Sequence, residues 1–189
     1  MKKAPCLSLF TFIFFAHSYG QITRLEDLKN KILISLKTER FDSFQQLLLD
    51  TSDCREFFSG FDENDNMRNV ALPQFKSFLS SDSSKLFYKQ VFAKLVDKGK
   101  HYQIDWDKIH DVKLVIQDSA SSPGKLFSIG NIIFTYKDSS YMIFYIMITR
   151  LSSGFKILNI FDIGNYNSIM RDILIDDAKE RNKKTSINI

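Results

Sequence analysis

The sequence predicts an α+β fold, with N-terminal helices packed on a curved antiparallel sheet of about four strands. Three observations carry it. Apolar residues recur at steps of three and four up to Gly99 and at steps of two beyond it. The later apolar runs are joined by segments short enough for hairpins, which makes consecutive strands antiparallel. One of those runs, Tyr141 to Thr149, is apolar at both parities, as expected of a central strand covered on both sides.

The elements follow in order. Thr23 and Glu26 have capping-box spacing, and Leu25, Leu28, Ile32 and Leu36 then share one helical face. A break at Thr38-Glu39 precedes a short helix carrying Phe41, Phe44, Leu47 and Leu48. Thr51-Ser52-Asp53 offers an N-cap for a third helix, ending near Gly60. A polar loop spans 62–66, and Pro73 suits the first turn of a helix bearing Phe75, Phe78 and Leu79. Beyond Ser81 to Ser84, the residues Phe87, Tyr88, Val91, Phe92, Leu95 and Val96 form a wide stripe, with Gly99 placed as a C-cap. Strands are expected around 112–117 and over Leu126 to Tyr136, Tyr141 to Arg150 and Phe155 to Ile163, with a last helix from Asn167 bearing Ile169, Met170 and Ile173.

Residues 1–20 read as a cleavable export signal. Met1-Lys2-Lys3 is basic, Leu7 to Phe15 is apolar, and Ser18-Tyr19-Gly20 ends in small residues. The apolar run is shorter than the roughly 20 residues of a membrane span, and no later segment is longer. The expectation is one domain over 21–189, frayed over 182–189, secreted or periplasmic, with no transmembrane segment after cleavage. The net charge of +4 includes Lys2 and Lys3, so the remaining chain is only mildly basic, which argues against nucleic acid as a partner. Of two cysteines only Cys54 would survive processing, leaving no internal disulfide.

The element order, the Gln103-Ile104-Asp105-Trp106-Asp107-Lys108-Ile109 segment and the closing Gly154-Phe155-Lys156-Ile157-Leu158 strand resemble a group of exported bacterial proteins of Bacteroidetes type. These are similar to the cystatin-like, nuclear transport factor 2-like superfamily. The resemblance implies a curved sheet wrapped around helices as a cone with an apolar pocket. The catalytic Asp or Tyr/Asp pair of that superfamily's enzymes has no assignable counterpart, so the resemblance implies a fold and no activity.

The densest set of possible metal or acid–base groups is Asp105, Asp107, His110 and Asp111, yet Trp106 and Ile109 interleave with it, which favours acids facing water around a buried indole. Asp62, Asn64 and Asn66 start like a calcium loop, but Met67 and Pro73 stand where Gly and Glu are required. No phosphate loop or nucleophile elbow is present. No cofactor and no metal are expected. If the sheet forms a cone, Tyr136, Tyr145, Arg150, Asn159 and Asp162 are the candidate ligand-binding residues on its strands. The expected function is an exported, non-enzymatic binding or interaction module for an unknown small ligand or protein, with a homodimer through the sheet near Tyr145 and Met147. The alternative is an isomerase- or dehydratase-like enzyme using a pocket Asp or Tyr as base.

Overall fold

A computed structural model describes residues 24–59, 66–117 and 127–170. The signal segment, the Thr23 half of the capping box, most of the polar loop after Gly60, and the tail beyond 170 lie outside the described residues. Among the described residues, five helices precede five strands. α1 spans Leu25–Lys37 and buries Leu28, Ile32 and Leu36, the stripe that the spacing predicts. Glu39 takes a positive φ of 53° and turns the chain into α2, Phe41–Gln45. α3 is Cys54–Ser59, entered directly after Asp53.

Two helix boundaries depart from the sequence reading. α4 runs Asn66–Leu79, so Pro73 sits in its interior rather than its first turn. The missing N–H removes one internal hydrogen bond, which thirteen other helical residues tolerate. α5 runs Asp82–His101 and is capped by Ser81, whose Oγ accepts from the Ser84 N–H at 3.2 Å. Gly99 is therefore not a C-cap but an interior residue. Its missing side chain makes room for Trp106: a Cβ there would meet the indole at 2.9 Å. Trp106 is half-buried rather than enclosed, touching Phe134 with ring centroids 5.6 Å apart.

The strands are β1 (His110–Gln117), β2 (Ser128–Tyr136), β3 (Ser139–Leu151), β4 (Gly154–Asn159) and β5 (Asp162–Asn165). All neighbours are antiparallel in the order β1-β2-β3-β4, with β5 also pairing β3. Lys137 and Asp138 both have positive φ, as a two-residue hairpin of type I′ requires. The single strand expected over 155–163 is two strands interrupted at Ile160–Phe161, and both pair with β3: Met147↔Asn159 continues the alignment of Phe144↔Asp162, but the register slips by one residue before Ile148↔Ile157, so most of β4 is offset from β5.

β3 is bulged. Gly130↔Ile146 and Ile132↔Ile143 leave Asn131 opposite two residues, Phe144 and Tyr145. An extra residue switches which parity faces inward. Inward residues are odd before the bulge (Ile143) and even after it (Ile146, Ile148), all essentially inaccessible. Those side chains pack with Phe134 and Ile157 against Ile32, Leu36, Phe44, Phe92 and Leu95 in the main core. A smaller cluster of Leu49, Phe57, Phe58 and Leu151, with Phe75 and Leu158 against it, covers one end of the opposite face.

Candidate functional site

The outer sheet face is covered at its two ends. At one end lies the α3–α4 cluster around Leu151 and Leu158. At the other, Ile169 packs over Gly164, where a Cβ would meet its Cδ1 at 2.7 Å. Between them the bulge opens a window. Tyr145 has φ 53°, a conformation that costs a non-glycine residue about 1–3 kcal/mol. The buried Asn131 holds it there, its Oδ1 accepting the Tyr145 N–H at 3.0 Å. The extra residue thereby leaves Tyr145 49% exposed between the half-buried Phe144 and the buried Ile146.

Phe161, at the β4–β5 interruption, is 60% exposed. Phe144, Tyr145 and Phe161 form a triangle with centroid separations of 5.8, 5.9 and 6.1 Å and tilted or edge-on rings, the geometry aromatic pairs prefer. Lys94 on α5 borders it, with Nζ 5.7 Å from the Phe161 centroid and 2.8 Å from Asp162 Oδ2. Asp162 also accepts the Ile163 N–H at 2.8 Å. Asn159 pairs with Met147 and so lies on the same outer side; its amide oxygen is buried and meets no hydrogen-bond donor among the described residues.

The structure therefore brings Tyr145, Asn159 and Asp162 to one stretch of the outer face and separates the other two expected residues. Tyr136 is buried at the hairpin end of β2, with Lys137 Nζ 5.1 Å from its ring. Arg150 is exposed near the far end of β3, 5.8 Å from the Phe155 ring. None of the five lines the groove of about 300 Å³ between α2 and the α4–α5 turn, whose walls include Phe41, Asp50, Ser84 and Tyr88. Sequence reasoning missed Phe161, Lys94 and Asn131. A lone Asn in the apolar run of β2 is the one signal that marks the bulge.

The acidic segment is spread over separate partners. Asp105 pairs with Lys108 at 2.8 Å, Asp107 with Lys37, and His110 Nδ1 with Asp111 at 2.8 Å. The Lys108 hydrogen bond holds the Asp105 carboxyl below its ordinary range. Among the described residues no group of three His, Cys, Asp or Glu side chains is placed to hold a metal ion. Burial, together with Asp50 and Asp53, raises the Cys54 thiol, so it stays protonated at neutral pH. The aromatic triangle offers apolar ring faces and edges, and the Lys94–Asp162 pair supplies a polar border; such a surface suits binding by contact and orientation. Comparison with known family models, with curated proteins and with solved structures gives no match.

Proposed function

We propose that this chain is an exported, non-enzymatic binding module that engages its ligand or partner through the outer sheet face at Tyr145 and Phe161. The carrying observation is the strained Tyr145. A backbone conformation that disfavours tyrosine is held by a buried amide, and its result is an exposed aromatic ring beside a second one. Strain of this kind, in mid-strand and outside a turn, clusters at functional sites. Export by residues 1–20 and a cystatin-like curved sheet belong to the same reading. The inner face supports it too: there Ile, Leu and Phe side chains interlock, and among the described residues the five candidate polar residues do not converge on a common pocket.

The test is recovery of the protein from its native source, followed by native mass spectrometry of what accompanies it. A bound species present on the wild type should be absent from the Tyr145→Ala/Phe161→Ala double variant, while circular dichroism shows an unchanged fold. Retention by the double variant would place binding elsewhere. Turnover of a co-purified compound that is lost on Asp162→Asn would establish the isomerase or dehydratase reading instead.

A further inference from the structure

The two edges of the sheet are treated differently. The β4 edge is closed: Ile157 donates to Leu47 O at 2.8 Å and accepts from the Leu49 N–H at 2.9 Å, adding a short parallel bridge. β5 lies against α5, tied by the Lys94–Asp162 pair. Among the described residues the β1 edge has no such cover. β1 pairs with β2, and among the described residues no other backbone group bonds to it. Its first two residues are guarded by a register break at Asp111, φ 52°, beside the His110–Asp111 pair. Lys113–Gln117 is regular and open, with Val115 exposed on the outer side and Leu114 and Ile116 half-buried toward the core. A regular open edge with an apolar outer residue is a template for one more strand.

We infer that β1 pairs antiparallel with β1 of a second copy of this chain about a two-fold axis at Val115, joining two sheets into one. The register is selected by charge and polarity, because paired residues share a face. An axis at Lys113 sets two ammonium groups opposite one another and runs into the Asp111 irregularity. An axis at Leu114 sets Lys113 against Val115. At Val115, the valine meets its own copy, Lys113 faces Gln117, and Leu114 faces Ile116, so both cores continue across the junction without like charges. Val115 pairs with Asn131, the residue that holds Tyr145, so the axis lies on the same outer face two strands from the window; the junction itself uses the backbone edge of β1 and needs neither the Tyr145 nor the Phe161 ring.

Sedimentation equilibrium of the purified protein should show a dimer. Val115→Glu and Val115→Lys, at an exposed position that leaves the core untouched, should each weaken self-association by about tenfold or more. An equimolar mixture of the two should restore it, which damage to the fold would not do. Tyr145→Ala/Phe161→Ala should dimerise as the wild type does. A wild type that stays monomeric at every concentration reached, or a dimer indifferent to both charges at 115, overturns the inference, including the case in which only a foreign strand occupies the edge.

Discussion

The two faces of the sheet use the same residue types to opposite ends. On the inner face, Phe134, Ile143, Ile146 and Ile157 are fully buried beneath α1, α2 and α5. On the outer face, Tyr145 and Phe161 lie about half open to water, although they belong to the same or neighbouring strands. One inserted residue makes the difference. It turns β3 over in mid-strand, so that apolar character at both parities becomes a continuous core on one side and an exposed aromatic window on the other. Hydrophobicity fixes which residues can be buried; backbone register decides which of them are.

The largest expected effect breaks the comparison directly. Phe134→Ala should destabilise the protein by about 3–5 kcal/mol, because its cavity is walled by Trp106, Tyr141 and the core. Phe161→Ala should change stability by only about 0.5 kcal/mol, as expected of a side chain that is mostly solvated. Denaturant titration of the two variants measures both. Equal costs would mean that the outer window is packed like core and is not an open surface.

A smaller effect of opposite sign is expected at Tyr145. Glycine adopts φ 53° without steric penalty, so Tyr145→Gly should relieve strain and stabilise the protein by about 1 kcal/mol while removing the ring from the window. Stabilisation combined with loss of the bound species would separate the residue's functional role from its structural one. A destabilised Tyr145→Gly protein would show that the ring's contacts with Phe144 and Phe161 outweigh the strain.

The helical half was legible because Leu28, Ile32 and Leu36 keep a strict helical step, and Phe92 and Leu95 do the same on α5. Strand positions and the antiparallel order were legible from period and hairpin lengths. The bulge was not: its one sequence signal is the lone Asn131 on the neighbouring strand, whose hydrogen bond to the Tyr145 N–H exists only after folding. Gly99 misled for a similar reason: a glycine near a helix end usually reads as a cap, and only the approach of Trp106 reveals it as a packing position. Of the expected site, Tyr145, Asn159 and Asp162 share a face, whereas Phe161 and Lys94 complete it from a strand interruption and a helix that sequence spacing does not bring together.

The smallest expected effect concerns the turn that feeds the cover of the outer face. Asp50 lies just ahead of α3, and its Oδ1 accepts from the Ser52 N–H at 2.7 Å and the Asp53 N–H at 3.2 Å. Partial burial raises its pKa, but the hydrogen bonds from the Ser52 hydroxyl and N–H and from Asp53, with the charge of Lys156, outweigh that and leave it below the ordinary value. A carboxylate whose pKa is depressed by folding contributes stability above its unfolded pKa, about 3.9, and loses that contribution as pH falls through the folded value. Asp50→Asn keeps an acceptor oxygen and removes the charge. At neutral pH the variant should be less stable by under about 1 kcal/mol, because the group is largely solvated and screened. The gap should begin to close as pH falls below about 4, the unfolded value, and close fully only as pH passes the lower folded value, where the native carboxyl also becomes neutral. Urea titrations of both proteins from neutral pH to pH 3 measure that gap directly. A difference that stays constant across the range would assign the role of Asp50 to turn geometry alone, and the cover of the outer face would then carry no acid-sensitive charge at this turn.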